Sequence, residues 1–214
     1  CIRDRYEVAQ KEFSRLEYLY FNSKEISERK KAQARAIAQI KIMLRICTSA
    51  NTLPEYKGPA LTGKMEAIFK EMEKMTHERA AIGVREVKAV SAYAAAAQEY
   101  FPDRPVFTII GELDPRQRSR LIHGEFEEAD NSILVCTQQS LSESISIDCV
   151  DNCFISELHW NDSRMSQFYY RFIRYISTRM KNIFYVNYPD SLEPHLLYLL
   201  VAKERMLRFL TDPD

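Results

Sequence analysis

Two arginines and a glutamine late in the chain have the types and spacing of a phosphate-binding group. Gln167, Arg171 and Arg174 recur at intervals of four and three residues, so a helix would present their side chains on one face. Arginine suits phosphate because its planar guanidinium donates hydrogen bonds in pairs and keeps its charge. A solvated helix face would show the same pattern, so the spacing alone leaves both interpretations open.

The sequence just before these residues predicts the element that positions them. The apolar run at 153–158 is typical of a short buried strand. Asp162 or Ser163 can cap a helix that follows this strand. We therefore expect a buried strand that leads directly into a helix carrying the glutamine and both arginines.

From residue 61 onward, strand patterns alternate with helix patterns. Strands are predicted at 80–84, 105–110, 132–136, 153–158 and 182–188, and helices at 61–75, 87–100, 115–126 and 192–210. The run at 145–150 is ambiguous. Strands that alternate with helices of about a dozen residues predict an α/β fold, with a parallel sheet covered by helices on both faces.

The first fifty residues differ from the rest, because they contain two helical patterns and no strand pattern. The segment at 49–59 carries two prolines and a glycine and is typical of a linker. We therefore divide the chain into a helical appendage or interdomain insertion with its linker at 1–58, and an α/β domain at 59–214.

Charge is balanced overall but unevenly distributed. Lys plus Arg and Asp plus Glu each number 30, so net charge favours neither presence nor absence of a nucleic-acid partner. Residues 1–50 hold 11 basic and 6 acidic residues, and 164–189 hold five basic and no acidic ones. Two basic regions suit a phosphate-facing surface. Ordinary solvated helix faces explain the first region equally well.

Several other functions have little support in the sequence. The five cysteines, including Cys149 and Cys153, lack the second pair or nearby histidines of a zinc site. His159, His195 and the acidic run at 148–151 have no nucleophile in a recognisable motif. A signal peptide and membrane-length apolar runs are absent, which predicts an intracellular protein with no membrane partner. Because the chain begins at Cys, we expect a processed piece or an excised domain.

The stretch from Glu157 to Arg174 resembles the sixth motif of superfamily 2 helicases and translocases, with the Swi/Snf-type branch closest. That motif has a strand ending in Trp-Asn and a helix with the pattern Q-x-x-G/D-R-x-x-R. The resemblance implies that Arg171 and Arg174 are arginine fingers that reach ATP, with Gln167 beside them. Tyr170 stands where the family has Gly or Asp.

The stretch at 134–147 lies where the family has its fifth motif, a strand followed by a Ser/Thr pair and a glycine-rich turn. By this resemblance, Thr137 and Gln138 would contact nucleic acid, and Glu143 and Ser144 would lie at the ATP cleft. Hydroxyl side chains are plentiful here, but every glycine of the motif is missing. Glycine permits close backbone approach, so its loss favours a degenerate motif.

Two further positions complete the implied nucleic-acid surface. The run from Gly111 to Arg118, followed by Phe126, resembles the family's sequence of a glycine, then an arginine, then a phenylalanine. It implies nucleic-acid contacts by Arg116 and Arg118, although a structural turn between strand and helix would explain it equally well. Trp160, in the sixth motif, is the remaining candidate contact.

Taken together, the resemblance implies the second RecA-like lobe of a Swi/Snf-like helicase or DNA translocase. The chain lacks both the G-x-x-x-x-G-K-[ST] loop and the D-E-x-H box. ATP and Mg²⁺ would therefore be held mainly by an N-terminal RecA-like lobe of the same protein, and this lobe alone would not hydrolyse ATP. The implied partner is nucleic acid, DNA in preference to RNA. The alternative is a degenerate lobe that serves as a nucleic-acid or protein binding module.

Overall fold

The computed structural model describes residues 2–54, 56–141, 146–173 and 177–211, without the side chains of 162 and 207–211. The chain forms two compact units, Cys1–Pro59 and Ala60–Asp214. In the first unit, α1 (Ile2–Asn22) and α2 (Ile26–Ser49) form a helical hairpin, followed by a 3-10 turn. Gln39 Nε2 donates to the Ala9 carbonyl oxygen at 3.0 Å and joins the two helices. The predicted helical appendage is confirmed.

The second unit is built on a sheet of five parallel strands in the order β2-β3-β1-β4-β5. Their bounds are Ala80–Val84 for β1, Val106–Ile109 for β2, Ile133–Thr137 for β3, Asn152–Ile155 for β4 and Asn182–Tyr185 for β5. The central strands β1, β3 and β4 are buried throughout and mostly apolar, as strands covered on both faces must be. The predicted parallel sheet is confirmed, and the described part of the ambiguous run, 146–150, contains no strand.

Five helices accompany the sheet among the described residues. They are α3 (Gly63–Met72), α4 (Val87–Tyr100), α5 (Pro115–Arg120, continued by a π-helical turn at Leu121–Phe126), α6 (Asp162–Tyr169) and α7 (Glu193–Thr211). Apolar residues of α3 and α4 pack against Ile82 and Val84 of β1. Successive strand residues point to opposite faces, so Gly83, whose nearest neighbour is Phe168 of α6, belongs to the other face. Helices therefore cover both faces of the sheet.

Gly83 sets how closely α6 approaches the sheet. A Cβ atom at this position would lie 2.5 Å from Cζ of Phe168, which is closer than real Cβ atoms come to a neighbour. The absence of a side chain at Gly83 therefore lets the Phe168 ring rest directly on β1. Phe168 also meets Phe172 edge-on, with ring centroids 5.2 Å apart, and both rings are buried.

Candidate functional site

Polar side chains follow three neighbouring strands where each strand ends. Arg85 comes directly after β1, Gln138 directly after β3, and Glu157 two residues after β4. Because the carboxyl ends of parallel strands lie at one edge of a sheet, these side chains meet there. Gln138 Nε2 donates to the Glu157 carbonyl oxygen at 2.5 Å, and the Arg85 backbone N–H donates to Glu157 Oε2 at 3.3 Å. The three strand ends are thus tied together by hydrogen bonds.

Glu157 has unusual electrostatics at this edge. Burial raises the pKa of its carboxyl to about 7, although the guanidinium and backbone N–H of Arg85 act in the opposite direction. Arg85 Nη1 lies 3.5 Å from Glu157 Oε1. The carboxyl therefore changes its protonation state close to neutral pH, where an ordinary glutamate would be fully ionised.

His159 lies near the same edge as a neutral acceptor. Burial, followed by the positive charges of Arg85 and Arg164, lowers the pKa of its imidazole. Its Nδ1 lies 3.0 Å from the Asn161 backbone N–H, which donates to it. This contact fixes the turn between β4 and α6 and gives His159 a structural task.

A buried polar network includes Ser156, the residue directly before Glu157. Lys64 Nζ lies 2.6 Å from Glu193 Oε1 and donates to the Ser156 carbonyl oxygen at 2.9 Å. The Lys64 and Glu193 side chains are only 1% and 0% exposed. The Tyr188 backbone N–H donates to Glu193 Oε2 at 3.0 Å, and the hydroxyls of Ser156 and Tyr93 are hydrogen-bonded to each other. The network links α3, α4, β4 and α7.

Sequence reasoning missed this network as a unit. Lys64 occurs in a Thr62-Gly63-Lys64 run at the start of a helix, and Glu193 lies 129 residues away from it. No spacing rule connects positions so far apart. The available signal was that Lys64 lies beside Leu61 and Ile68 on the helix predicted at 61–75, at apolar positions where a solvated residue is out of place.

The arginine segment departs from its predicted helix. Regular helix ends at Tyr169, so Arg171 lies in a tighter turn, where its N–H donates to the Phe168 carbonyl oxygen at 3.1 Å. Its own carbonyl oxygen accepts from the Ile147 N–H at 2.8 Å, in the connection between β3 and β4. This tertiary hydrogen bond ties the segment after α6 to that connection. The prediction that Arg171 continues one regular helix with Gln167 is therefore wrong.

The residues predicted for the ATP cleft are only partly described. Gln167 is exposed on α6, and Arg171 is partly buried beside the connection between β3 and β4. Arg174, Glu143 and Ser144 lie outside the described residues. The structure therefore gives positions for one of the two predicted fingers and for the glutamine that precedes it.

The cap of α6 also differs from the prediction. Asn161, not Asp162 or Ser163, is the N-cap, because its extended backbone lets the side chain accept from the Arg164 N–H at 3.4 Å. Trp160, immediately before this cap, is 39% exposed. The strand-to-helix turn thus presents an aromatic surface at the carboxyl edge of the sheet.

The remaining predicted nucleic-acid contacts fall into two groups. Thr137, Gln138 and Arg118 are buried, whereas Arg116 is exposed in the first turn of α5 and Trp160 is partly exposed. Asp114 caps α5 by accepting from the N–H groups of Arg116 and Gln117, so the position of Arg116 is well defined. Surface contacts are therefore open to Arg116 and Trp160.

Arg118 is committed to the interior. Its three guanidinium nitrogens donate to the carbonyl oxygens of Leu113 at 2.8 Å, Ser140 at 2.7 Å and Gly111 at 3.2 Å. The Thr137 and Ser140 hydroxyls are hydrogen-bonded at 2.6 Å. These contacts organise the turns after β2 and β3. A contact between Arg118 and a phosphate is at odds with this geometry, because a buried guanidinium engaged on three sides has no free fork to offer.

Comparison with known proteins identifies the family. The family model described as the helicase conserved C-terminal domain matches residues 63–176. The match includes Arg85, Gln138 and Glu157 at the carboxyl edge of the sheet, and also Arg171. The chain belongs to this helicase C-terminal domain family. No curated protein matches it significantly. Among the described residues, no helix is long and apolar enough to cross a membrane, and no cluster of His, Cys, Asp or Glu could hold a metal ion.

Solved structures share the helicase C-terminal fold with this chain. The C-terminal part of the Fun30 ATPase domain has a TM-score of 0.72 at 16% identity, over 94% of this chain and 85% of that one. The Sulfolobus solfataricus SWI2/SNF2 ATPase C-terminal domain has a TM-score of 0.68 at 14% identity, over 94% and 82%. The predicted helicase C-terminal lobe is confirmed as the family, and its fold is the one seen in these Swi/Snf-type ATPase structures.

A longer solved structure shares this fold over part of its length. The chain is similar to the Sulfolobus solfataricus SWI2/SNF2 ATPase core in complex with dsDNA, with a TM-score of 0.74 and 16% identity. The similarity covers 97% of this chain but 43% of that one. This helicase lobe therefore corresponds to less than half of that ATPase core.

Proposed function

We propose that this helicase lobe is the second half of an ATP-dependent nucleic-acid helicase or DNA translocase. In this proposal it supplies an arginine finger and part of the nucleic-acid surface. The observation that carries the proposal is the position of Arg171, which lies inside the family match and is anchored through its backbone to the connection between β3 and β4.

The surroundings of Arg171 support a role in charge stabilisation. Its carbonyl and N–H are both held by hydrogen bonds, at 2.8 and 3.1 Å, so the base of the side chain is fixed. Preorganised positive groups act best on charge that develops in a transition state, because they need no rearrangement at the moment of reaction. Arginine fingers are worth about 10³–10⁵ in turnover of phosphoryl-transfer enzymes.

The lobe does not fit a complete site for ATP and Mg²⁺. The sequence has no phosphate-binding loop, and the described residues contain no group of acidic side chains suited to a metal ion. Among the described residues, the guanidinium of Arg171 is the group we propose for contact with the phosphate oxygens of ATP. ATP and Mg²⁺ would therefore be held mainly by an N-terminal RecA-like lobe, and we expect the isolated chain to show no turnover.

The proposed nucleic-acid surface begins at the carboxyl edge of the sheet. Arg116, in the first turn of α5, is free to contact phosphate, and Trp160 offers an aromatic face. The similarity to an ATPase core in complex with dsDNA supports duplex DNA as the partner, in preference to RNA. Phosphate contacts make the expected binding salt-sensitive.

The test is the substitution Arg171→Lys in the full protein that carries both lobes. Lysine keeps the positive charge but cannot reproduce the paired donors of a guanidinium. We expect steady-state ATPase to fall at least a hundredfold, while affinity for DNA changes less than threefold. Arg164→Lys, on the exposed side of α6, is the matched control and should change neither quantity. Unchanged turnover together with a large loss of DNA affinity would show that Arg171 is a nucleic-acid contact instead.

A second candidate function is a degenerate, non-hydrolysing lobe that binds nucleic acid or protein. The burial of Thr137 and Gln138 favours it, because the family's fifth motif would require these residues to reach a phosphate. The missing glycines of that motif point the same way. The same two measurements separate the candidates, since a degenerate lobe would give a full protein with salt-sensitive DNA binding but no DNA-stimulated ATPase.

A further inference from the structure

The helical hairpin carries its excess positive charge on one helix only. In α1, Arg3, Arg5, Lys11 and Arg15 are balanced by Asp4, Glu7, Glu12 and Glu17. The second helix, α2, has a single acid, Glu28, against a larger basic set of Arg29, Lys30, Lys31, Arg35, Lys41 and Arg45. The asymmetry creates a positive surface along α2 that the overall net charge of zero conceals.

The arginines of α2 are engaged within the hairpin, whereas its lysines are not. Protein oxygen atoms accept from all three arginines: the Ser23 carbonyl from Arg29, the Glu12 carboxylate from Arg35, and the Thr52 hydroxyl and carbonyl from Arg45. Lys30, Lys31 and Lys41 are exposed. Among the described residues, none of the three lysines has a carboxylate within ion-pair distance.

Two of these lysines lie on one side of α2, and Lys31 flanks them, about 100° around the helix from Lys30. Lys30 and Lys41 are three helical turns apart and lie on the same side of α2, with about 16 Å between their backbone positions. Ala34 and Ile37 lie on that side between them, and both are exposed. Within α2 itself, no acidic residue follows Glu28. We call the surface formed by Lys30, Lys31, Ala34, Ile37 and Lys41 the α2 face.

We propose that the α2 face binds the phosphate backbone of duplex DNA. The choice of ligand rests on the proposed function, and the charge asymmetry and the unpaired lysines support the location. A separation of about 16 Å corresponds to about five base-pair steps of 3.4 Å, so two lysines can reach phosphates on one stretch of duplex. Ala34 and Ile37 offer no hydrogen-bonding groups to base edges, so the contact is independent of sequence.

The test compares two triple variants of the chain in fluorescence-anisotropy titrations with a labelled duplex of mixed sequence at several salt concentrations. The variant that removes the α2 face charges is Lys30→Gln/Lys31→Gln/Lys41→Gln. Glutamine has nearly the helix propensity of lysine, so the hairpin should keep its helicity. We expect the slope of log K against log salt to fall by about 0.9 for each lost phosphate contact.

The matched control removes three exposed lysines elsewhere, Lys11→Gln/Lys88→Gln/Lys203→Gln. Both variants lose the same charge, so non-specific attraction falls equally in the two. A slope reduced by about 2 to 3 in the α2 variant and by less than 1 in the control supports the inference. Equal slopes in the two variants overturn it, and so does a chain that binds no DNA. Polyglutamate that binds to the α2 face with the same affinity as DNA would also overturn it, in favour of an acidic protein partner.

Failure of this inference is distinguishable from failure of the proposed function. The ATPase test of Arg171 uses turnover and does not depend on the lysines of α2. If Arg171→Lys loses turnover while the α2 variant keeps its salt slope, the proposed function is supported and the DNA contact of the α2 face is refuted.

Discussion

Breaking the buried ion pair between Lys64 and Glu193 should strongly destabilise the helicase lobe. The two charges lie 2.6 Å apart and are almost completely buried. Lys64→Met leaves the carboxylate of Glu193 without its cation and removes the donor to the Ser156 carbonyl oxygen. Removing one partner of a buried pair typically costs about 3–5 kcal/mol, mostly because the remaining charge is uncompensated. We expect a loss of that size in the free energy of unfolding.

The measurement is urea denaturation followed by tryptophan fluorescence. The chain has a single tryptophan, Trp160, and it lies in the helicase unit, so the signal reports on the unit that contains the pair. A loss of about 3–5 kcal/mol also predicts a melting temperature lower by roughly 10 °C. The control is Lys70→Met on the same helix. Its pair with Glu66 is solvent-exposed, so its loss should leave the free energy of unfolding close to that of the wild type.

A second substitution tests the physical cause. Glu193→Gln in the Lys64→Met background removes the uncompensated charge and retains an oxygen that can accept from the Tyr188 N–H. We expect this double variant to recover part of the loss, about 1–3 kcal/mol, and to remain below the wild type because Ser156 still lacks its donor. A cost below about 1 kcal/mol for Lys64→Met, or no recovery in the double variant, would refute the reasoning.

Two further predictions concern the sheet and its carboxyl edge. Gly83→Ala should destabilise the lobe by about 1–3 kcal/mol in urea, because the new methyl group overlaps Phe168, while Gly111→Ala, which meets nothing within 4 Å, should be close to neutral. Equal effects would contradict the close approach of α6. Glu157→Gln should flatten the pH dependence of stability. With the Glu157 pKa raised to about 7, the folded protein keeps a proton that the unfolded chain loses, so wild-type stability falls by up to about 3 kcal/mol as pH rises from about 4.5 to 7. Parallel pH profiles for variant and wild type would exclude this shift.

Local patterns predicted the elements whose own residues carry a continuous signal. The strand predicted at 80–84 is β1, and the helix predicted at 87–100 is α4, with the same bounds. Both carry a continuous signal, an apolar run in β1 and an alanine-rich stretch in α4, and nothing in their surroundings opposes it. The parallel sheet followed from the alternation of such elements.

Tertiary contacts explain where the prediction failed. The helix with the arginines was expected to continue to Arg174 because the spacing of these residues is helical. Instead, the Arg171 carbonyl oxygen accepts a hydrogen bond from the Ile147 N–H, in the connection between β3 and β4. Arg118 was proposed as a nucleic-acid contact from the family resemblance of its motif, with a structural turn as an equal alternative. Its guanidinium donates to three carbonyl oxygens of the turns, which agrees with the structural alternative. Hydrogen bonds to remote backbone groups leave no periodic trace in a sequence.

The separation between Lys64 and Glu193 has a consequence for synthesis of the protein. Their 129-residue separation takes roughly 6 to 26 s to translate at about 5–20 residues per second. During that time Lys64 cannot form its ion pair, because Glu193 has not yet been synthesised. The edge of β1 that pairs with β4 is likewise unpaired until β4 has been synthesised. The core of the lobe therefore closes late, after most of the chain has left the ribosome, and its unpaired strand edges are a natural target for chaperones until then.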